Sequence, residues 1–438
     1  MLSEYTAVIQ AGGKGTRLRE LTGDKIPKPL LSLNGKTMIE WQLACIRRYG
    51  IRDVVLIIGH LGDKVKAYFG DGAAFDMHIR YIEEEEPLGS AGALYCLKDS
   101  LPGSNFLLIF GDVMFDIDVE RMVRFHEKHQ ALATLLVHPN AHPFDSDLVV
   151  LDEEERVTGF DSKTNVRKYW YDNCVNAGIF VLSKQLLDQI TALKKYDLEH
   201  DLLFPAIGTG RVYGYRSTEY VKDAGTVKRF HDVCEEQKQG LWQARNLGNR
   251  QKCIFLDRDG TLNRYKGLID TDSLLELEEG AAEAVREINR SGYLAIVVTN
   301  QPVVARGMCS LEDVRNIHRK MSVLLGEQGA YLDDIIFCPH HPDKGYPEEN
   351  PLYKIPCNCR KPATGMLEEM AERHHIDLAR SWMIGDSTID IQTGKNAGVK
   401  TMLVRTGQAG KDGKYDAEPD LEASDLAEAV KKILALES

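Results

Sequence analysis

The stretch Cys253–Leu262 reads Cys-Ile-Phe-Leu-Asp-Arg-Asp-Gly-Thr-Leu and decides the fold of the second half of the chain. An apolar run of strand length ends in two aspartates, Asp257 and Asp259, and a glycine turn follows them. In an open parallel sheet, the polar groups that follow a strand lie at the edge where ligands bind. One carboxylate there can act as a nucleophile, and a second one two residues later can act as its acid and base partner. The sequence therefore predicts an α/β domain with a reactive pair of carboxylates.

The length and composition of the chain predict a globular protein of two domains. The strand at residue 253 begins past the middle of the 438 residues, so a separate folded unit must precede it, and we predict domains at 1–245 and 250–438. Hydrophobic residues make up 43% of the chain and charged residues 27%, which is ordinary for a globular protein. The net charge of −12 argues against a nucleic-acid partner, because phosphate backbones are bound by clustered Lys and Arg.

Apolar runs and cysteines predict the cellular setting. The apolar runs are shorter than the roughly 18 residues of a membrane-spanning helix, and the N-terminus lacks the basic and apolar regions of a signal peptide. Three of the nine cysteines fall within residues 338–359, which indicates reduced thiols with a metal site rather than a disulfide framework. These features predict a cytoplasmic protein with no membrane partner, and they are compatible with a homo-oligomer.

A glycine-rich turn follows the first predicted strand, residues 5–10. It reads Ala-Gly-Gly-Lys-Gly-Thr-Arg-Leu at positions 11–18. Its glycines allow backbone N–H groups to approach a phosphate or a base, and Lys14 and Arg17 add positive charge. The spacing is neither that of the Rossmann motif nor that of the P-loop, so the turn alone is a weak indication of nucleotide binding.

Later motifs strengthen this interpretation. Lys28 lies between two prolines, and a second small-residue turn covers residues 87–92. Asp112 follows the predicted strand 106–110, and Asp223 lies in Lys-Asp-Ala-Gly-Thr much farther along the chain. Two aspartates that follow different strands can share one Mg²⁺, which prefers carboxylate and phosphate oxygens.

In this order the motifs resemble those of the sugar-1-phosphate nucleotidyltransferases over residues 3–232. The resemblance implies a mixed, Rossmann-like α/β sheet in which Asp112 and Asp223 bind Mg²⁺ while Arg17 and Lys28 hold the triphosphate. The further nucleotide-binding residues that it implies are Gly12, Gly13, Gly15, Thr16 and Gly89. The sugar 1-phosphate would attack the α-phosphorus, and pyrophosphate would leave without a covalent enzyme intermediate.

The sugar side of this site departs from the family pattern. Phe-Asp-Ser-Lys-Thr at 160–164 stands where a Glu-Lys-Pro element is usual, so the resemblance assigns the sugar phosphate to Lys163 without the proline. Asn176 would lie on the sugar-facing strand. The turn at 87–92 is most similar to the mannose-1-phosphate guanylyltransferase branch, which favours GTP, with UTP and dTTP as alternatives.

Several polar residues are predicted to be structural. The acidic run 83–86 is expected to form an exposed loop edge, with Glu85 near the base. His126 and His129 are expected at exposed helix positions. The cysteines expected to act as small core hydrophobes are Cys45, Cys96, Cys174 and Cys234.

After the paired aspartates, polar residues recur at intervals that fit successive βα units: Thr299, Lys361 and Asp386. Together with Asp257 and Asp259, this order resembles the haloacid dehalogenase superfamily of phosphatases over residues 250–437, which implies a Rossmannoid fold. By that resemblance Asp257 attacks phosphorus, Asp259 serves as acid and base, and Mg²⁺ is bound by both and by Asp386. Asp390 would orient the loop. The residues expected to hold the phosphoryl group and the substrate are Thr299, Asn300, Arg360 and Lys361.

Two Cys/His motifs predict a structural zinc site. Cys-Pro-His-His at 338–341 and Cys-Asn-Cys at 357–359 offer three thiolates and an imidazole. The proline-rich loop between them has little apolar content, so a metal could supply its folding energy. We predict that Zn²⁺ is bound by four ligands: Cys338, His340, Cys357 and Cys359. His341 is the alternative to His340.

With this loop the second half resembles D-glycero-D-manno-heptose-1,7-bisphosphate phosphatases and histidinol-phosphate phosphatases. Thr-Asn-Gln at 299–301 and Ala-Arg-Gly at 305–307 favour the former, although Pro302 replaces the usual serine. Removal of the 7-phosphate leaves a sugar 1-phosphate, which is the acceptor class of the first half.

The sequence thus predicts a bifunctional enzyme that converts heptose 1,7-bisphosphate, as either anomer, and a nucleoside triphosphate into GDP-heptose, phosphate and pyrophosphate. One alternative is a nucleotidyltransferase for another sugar joined to a phosphatase of other specificity, such as histidinol phosphate. Another is a first half that only senses nucleotides.

Overall fold

The computed structural model describes residues 2–346 and 348–436, which form two compact units. The first unit runs to His138 and also includes Val149–Asp161 and Asn176–Gly248. The second comprises Pro139–Leu148, Ser162–Val175 and the chain from Asn249 onward. Among the helices of the described residues, none is both long and apolar enough to cross a membrane.

The first half of the chain alternates strands and helices. Its strands are β1 (Thr6–Gln10), β2 (Ser32–Leu33), β3 (Lys36–Thr37), β4 (Asp53–Ile58), β5 (His78–Glu83), β6 (Asn105–Phe110), β7 (Val113–Asp116), β8 (Ala133–His138), β9 (Leu148–Leu151), β10 (Val157–Asp161), β11 (Val175–Ser183), β12 (Val212–Arg216) and β13 (Tyr220–Asp223). Its helices are α1 (Arg19–Thr22), α2 (Met38–Arg48), α3 (Gly62–Phe69), α4 (Val119–Lys128), α5 (Phe204–Ile207), α6 (Val227–Lys238) and α7 (Leu241–Ala244).

The main sheet of the first half is mixed. Strands β5, β4, β1 and β6 are adjacent in that order and parallel, and β11 runs antiparallel to β6. The order reverses at β1, since β4 and β5 follow on one side of it and β6 lies on the other. Ligands of open α/β sheets bind at the carboxyl ends of the strands where the order reverses, which here is between β1 and β6.

The apolar patterns explain how this sheet is covered. The side chains of β1 are buried from Thr6 to Ile9, as expected of a strand packed on both faces. Helix α2 begins at a capping box in which the Thr37 hydroxyl accepts the N–H of Glu40 at 3.2 Å. Its buried residues Ile39, Leu43 and Ile46 recur at helical spacing and join the core of the sheet.

The second half forms a doubly wound parallel sheet. Its strands are β14 (Lys252–Leu256), β15 (Tyr293–Asn300), β16 (Asp334–Cys338), β17 (Trp382–Gly385), β18 (Lys400–Val404) and β19 (Leu421–Ala423). Its helices are α8 (Ala281–Asn289), α9 (Leu311–Glu327), α10 (Gly365–Arg373), α11 (Thr388–Ala397) and α12 (Leu426–Ala435). The sheet order is β16-β15-β14-β17-β18-β19, and every neighbouring pair is parallel. The order therefore reverses between β14 and β17.

Two segments from the first half of the sequence belong to the second unit. Within that unit, the indole N–H of Trp170 donates to Asp272, and Arg319 of α9 pairs with Asp172 at 3.3 Å. A side chain at Gly326 of α9 would approach Pro143 to 2.6 Å. These contacts join residues far apart in the chain, and no local pattern in the sequence indicates them.

Two structural predictions are wrong. His126 is buried rather than exposed, because it shares the apolar face of α4 with Met122 and Val123. Its Nδ1 lies 2.9 Å from the Thr134 hydroxyl, and burial lowers its pKa to about 4. Cys96 was expected in the core and is exposed, whereas Cys45 and Cys174 are buried as predicted.

Two candidate active sites

A cavity of about 440 Å³ lies at the carboxyl ends of β1 and β6 in the first unit. The predicted residues Gly12, Gly13 and Gly89 line it, together with Lys28 and Asp112. Its volume is in the range of sites for small ligands. Glu84 also lines the cavity and is half-buried, whereas Glu85 is exposed and does not line it. The expectation that Glu84 is exposed and that Glu85 lies near the base is corrected accordingly.

The glycine-rich turn brings Lys28 to the cavity. Gly15 has a φ of 62°, a left-handed conformation that favours glycine, and a Cβ there would lie 3.1 Å from the Lys28 Cβ. Thr16 then begins a short 3₁₀ turn, Thr16–Leu18, and is exposed. The ammonium of Lys28 donates to Oδ2 of Asp112 at 2.5 Å. Lys28, the predicted phosphate-binding cation, therefore forms an ion pair with Asp112, a predicted metal ligand.

A short antiparallel ladder places the two predicted metal ligands of this site side by side. Asp223 of β13 pairs with Val113 of β7, and the next amide, that of Ala224, donates to the Asp112 carbonyl at 2.8 Å. Asp223 is also paired with Arg229 at 2.6 Å. Carboxylate oxygens are the ligands that a hard divalent cation such as Mg²⁺ prefers.

Arg17 and Arg229 complete the charges around Asp223. Arg17 is exposed, and a Cβ at Gly225 would lie 3.0 Å from its Nη2 and 2.6 Å from Oδ1 of Asp223. Gly225 thus leaves room for the predicted guanidinium next to the carboxylate. Arg229 was not singled out from the sequence, although its place in the first turn of α6, after the N-cap Thr226, is the local signal for it.

The predicted sugar-side residues lie in different units. Asn176 of β11 donates to Glu199 at 2.6 Å within the first unit. Lys163 belongs to the second unit and is exposed, and its backbone N–H donates to Asp147 at 2.8 Å. Glu199 has no motif that could have marked it, because it meets Asn176 only through tertiary packing.

The second unit gathers its predicted charges at the reversal point of its sheet. Asp257 follows β14 and Asp386 follows β17. Lys361 donates to Asp257 at 2.8 Å and to Asp390 at 2.6 Å. Asp390 also accepts from the Ser387 hydroxyl, so it orients the lysine and the loop at the start of α11. All four charged side chains are buried.

The carboxylates of this cluster are crowded. Ligand oxygens of Asp257, Asp386 and Asp390 all lie within 4.8 Å of one another. Burial raises the pKa of Asp257 to about 6, against the opposing charge of Lys361, and raises that of Asp386 to about 8. Glycines at 260 and 407 admit the Asp386 carboxylate, since a Cβ at either would lie within 2.2 Å of its Oδ2. More negative than positive charge in a buried pocket fits a divalent cation.

Asp259 is held by side chains to which the sequence analysis assigned no role of their own. Arg258, fully buried, donates to both of its carboxylate oxygens, at 3.0 and 2.9 Å. Asn263 and Gln301 add bonds of 3.0 and 2.8 Å. Gln301 also donates to the hydroxyl of the predicted residue Thr299 at 2.9 Å. The second carboxylate of the motif is thereby fixed in one orientation.

Asn300 and Arg360 connect the second site to the cysteine loop. The Asn300 side chain accepts the backbone N–H of Lys361 at 3.0 Å and donates to its carbonyl at 3.1 Å. Arg360 donates to the carbonyl of His340 at 3.1 Å. Both predicted residues therefore fix the segment that carries the buried lysine.

The four predicted zinc ligands lie together, all donor atoms within 4.8 Å of one another. The sulfurs are 3.2 to 3.6 Å apart, and Nδ1 of His340 lies 3.3 Å from Sγ of Cys359. Tetrahedral coordination with Zn–S bonds of about 2.3 Å separates ligand sulfurs by about 3.8 Å, which is close to this spacing. His341 instead accepts the N–H of Asp343 through its Nδ1, so the geometry favours His340 as the histidine of the set.

Comparison with known families agrees with the geometry. Residues 6–240 match the family described as nucleotidyl transferase, which is more than half of the chain. The chain belongs to the nucleotidyl transferase family. Within this family member, residues 358–429 additionally match the family of HAD-hydrolase-like proteins.

Relatives of the second half are phosphatases. This nucleotidyl transferase family member is 41% identical over 150 residues, 34% of the chain and 81% of the relative, to D-glycero-beta-D-manno-heptose-1,7-bisphosphate 7-phosphatase from Rhodopseudomonas palustris. The enzyme of that name from Pasteurella multocida is 39% identical over 185 residues, 41% of the chain and 97% of the relative.

A relative of the first half is the mannose-1-phosphate guanylyltransferase of Mycobacterium tuberculosis, 34% identical over 230 residues. The match covers 52% of the chain and 63% of the relative, so the chain spans less than two thirds of that enzyme's length. The protein thus joins a nucleotidyltransferase to a haloacid dehalogenase-type phosphatase.

Proposed function

We propose that the protein removes the 7-phosphate of D-glycero-D-manno-heptose 1,7-bisphosphate and then transfers GMP from GTP to the heptose 1-phosphate. We assign the transfer to residues 1–245 and the phosphatase to residues 250–438. The observation that carries the proposal is the presence of both sites in one chain, because hydrolysis at C7 leaves the 1-phosphate that a nucleotidyltransferase requires. The names of the phosphatase and guanylyltransferase relatives support the choice of substrates.

In the phosphatase site Asp257 is the nucleophile. Its carboxylate oxygen bonds to phosphorus while the bond from phosphorus to the C7 oxygen breaks, and Asp259 gives a proton to the leaving oxygen. Asp259 then takes a proton from the water that cleaves the aspartyl-phosphate. Lys361 and Thr299 bind the phosphoryl oxygens, and Asn300 positions Lys361 through its backbone.

In the nucleotidyltransferase site the chain supplies position and charge. The 1-phosphate oxygen of heptose 1-phosphate bonds to the α-phosphorus of GTP, and pyrophosphate leaves on the opposite side. Lys28 and Arg17 neutralise the phosphates, and the loop amides around Gly12 and Gly13 approach them closely. Asn176 of the same unit is assigned to the sugar.

Metal ions fit three sets of residues. Asp112 and Asp223 would hold Mg²⁺ in the first site, and Asp257, Asp386 and the carbonyl of Asp259 would hold it in the second. In both sites Mg²⁺ would neutralise charge on the phosphoryl oxygens. Cys338, His340, Cys357 and Cys359 would hold a structural Zn²⁺ that orders the segment carrying Arg360 and Lys361.

The test is a product analysis with the full-length protein and Mg²⁺. Each anomer of heptose 1,7-bisphosphate is combined with GTP, UTP, dTTP, ATP or CTP, and inorganic phosphate, pyrophosphate and nucleotide sugars are measured. We expect one phosphate and one pyrophosphate for each GDP-heptose formed, with GTP preferred.

Other outcomes would separate the alternatives. Faster phosphate release from histidinol phosphate than from either bisphosphate would refute the heptose assignment. GTP binding with no pyrophosphate release from any sugar 1-phosphate would favour a sensing role of the first half. A preference for UTP or dTTP would contradict the guanylyl assignment alone.

A further inference from the structure

His318 is a buried histidine of α9 that has no part in the phosphatase chemistry described above. Its Nε2 lies 3.3 Å from Nη1 of Arg258, the residue between the two aspartates of the motif. Its ring packs at 70° against that of Phe337 of β16, with the ring centroids 5.2 Å apart. The imidazole therefore contacts both an apolar ring and a fully buried guanidinium.

The direction of the hydrogen bond between these two side chains fixes the protonation state of the ring. An arginine side chain has N–H donors and no acceptor, so Nη1 of Arg258 donates and Nε2 of His318 accepts. The ring is therefore neutral, with its proton on Nδ1. Burial, together with the positive charge of Arg258, lowers the pKa of His318 well below its usual value. His318 thus presents a constant acceptor to the guanidinium.

Arg258 divides its donors between His318 and Asp259. Its Nη2 donates to both carboxylate oxygens of Asp259, and its Nε donates to Oδ1 at 3.2 Å. In the part of the chain that the structure describes, His318 is the acceptor that Nη1 contacts. Because a guanidinium is planar and rigid, a partner that fixes Nη1 also fixes the direction of the other two nitrogens. Without that partner, a buried N–H would lose its hydrogen bond, and the plane could turn away from the carboxylate.

We propose that His318 is a positioning residue of the phosphatase, which holds the Arg258 guanidinium, and through it Asp259, in the orientation that proton transfer requires. In the proposed chemistry Asp259 gives a proton to the leaving oxygen and later takes one from water. Its carboxyl group must therefore face the same point in both steps, and this geometry decides whether an acid or base is effective. The inference deepens the proposed phosphatase activity and rests on it for the role of Asp259.

The test uses two leaving groups that differ in their need for a proton. A sugar alkoxide leaves only when it is protonated, whereas nitrophenolate is a stable anion and leaves without a proton. Full-length protein with Mg²⁺ is mixed in excess with either substrate, so the release of the leaving group reports the first step alone. His318→Leu should slow this step about 10- to 100-fold for heptose 1,7-bisphosphate, as expected when a general acid is misaligned. The rate for para-nitrophenyl phosphate should stay within about 2-fold of wild type.

A conservative variant and a matched control accompany this comparison. His318→Gln should bring the rate for the bisphosphate to within about 3-fold of wild type, because its amide oxygen can accept from Arg258 in place of Nε2. The control is His374→Leu. His374 is also buried in the second unit, but its Nε2 lies 2.8 Å from Asp334 at the amino end of β16, the opposite edge of the sheet from the site. Its loss should change the two rates by the same factor.

Three results would overturn the inference. They are an unchanged bisphosphate rate in His318→Leu, an equal loss for both substrates, which would include a variant that does not fold, and no recovery in His318→Gln. An error in the proposed function appears separately. If the product analysis selects histidinol phosphate, that substrate is also an alkyl phosphate and replaces the bisphosphate in the same test. If Asp259→Asn cleaves the alkyl phosphate as fast as wild type, the proposed role of Asp259 is wrong.

Discussion

The two sites occupy equivalent places in their sheets but differ in how far their charges are exposed to water. In the first, the side chains of Lys28, Asp112 and Asp223 are 14%, 27% and 36% exposed. In the second, those of Lys361 and Asp257 are only 3% and 13% exposed. Each site lies after the strands at which the order of its sheet reverses, so the sheet topology explains the position of both sites. The two sites differ in the burial of their charged side chains.

The difference in burial corresponds to the difference in proposed chemistry. A carboxylate that attacks phosphorus reacts better when water is excluded, and a buried lysine is then needed to hold its charge. A transfer without a covalent intermediate needs positioned cations around phosphates that remain partly hydrated. The burial of the charged side chains, more than the fold, therefore distinguishes the two kinds of phosphoryl chemistry.

The largest expected effect is at the buried nucleophile. Asp257→Asn should lower phosphatase turnover by at least about 1000-fold, because the amide cannot form the aspartyl-phosphate. Nucleotidyl transfer, measured with heptose 1-phosphate supplied directly, should be unchanged. Loss of both activities would contradict two independent sites.

The matching change in the less buried site is Lys28→Ala. It should lower nucleotidyl transfer about 100- to 1000-fold, because it removes a cation beside the phosphates and leaves Asp112 unpaired. Pyrophosphate release is the measurement, and Lys25→Ala, at an exposed position near the same turn, is the control. A variant that kept more than half of wild-type activity would remove Lys28 from the mechanism.

Loss of the cysteine cluster should affect the buried site alone. Cys357→Ser combined with Cys359→Ser should abolish bound zinc and lower phosphatase kcat/KM about 10- to 100-fold, because the segment of Arg360 and Lys361 loses its support. Zinc is measured by elemental analysis, with Cys309→Ser, outside the cluster, as the control. Full zinc content in the double variant would refute the assignment.

Glu219 tests the effect of burial on a carboxylate outside the candidate metal sites. It accepts the amides of Asp118 and Leu247 in the first unit, and burial raises its pKa to about 7. The folded state therefore binds its proton more tightly than the unfolded state, and this contribution to stability is lost as the pH rises from about 4.5 to 7.

The corresponding variant is Glu219→Gln, which has no proton to lose. From pH 5 to pH 8, the free energy of unfolding of wild type should fall by about 1–3 kcal/mol relative to that of the variant. Denaturant unfolding of both proteins at the two pH values measures the difference. Parallel pH profiles would show that Glu219 does not titrate differently on folding.

The smallest expected effect is that of salt on the two activities. Raising ionic strength should increase the KM for GTP a few-fold, since salt screens the partly exposed charges of the first site. It should leave phosphatase kcat nearly constant, since buried charges are screened much less. Steady-state kinetics in sodium chloride, with Mg²⁺ constant, make the comparison. Equal salt dependence of the two would mean that exposure does not distinguish the sites.

Local patterns in the sequence were sufficient to predict much of this protein. Apolar runs predicted the buried strands that carry Asp257 and Asp112, because strand ends and glycine turns are local features. Ser310 caps the start of α9 by accepting the Asp313 amide, and such a cap is a local feature of the sequence. The order of the motifs predicted both families, and the spacing of the cysteines predicted their cluster.

Only the tertiary structure decided which side chains meet. Glu199 and Gln301 contact their partners between distant elements, and no spacing in the chain marks such pairs. Glu84 rather than Glu85 lines the cavity, because strand alternation and the Leu88 amide set its direction. The packing of Trp170 and Pro143 in the second unit could not be predicted from the sequence either. Local sequence determines elements and their ends, whereas contacts between distant residues depend on how the sheets and their loops pack.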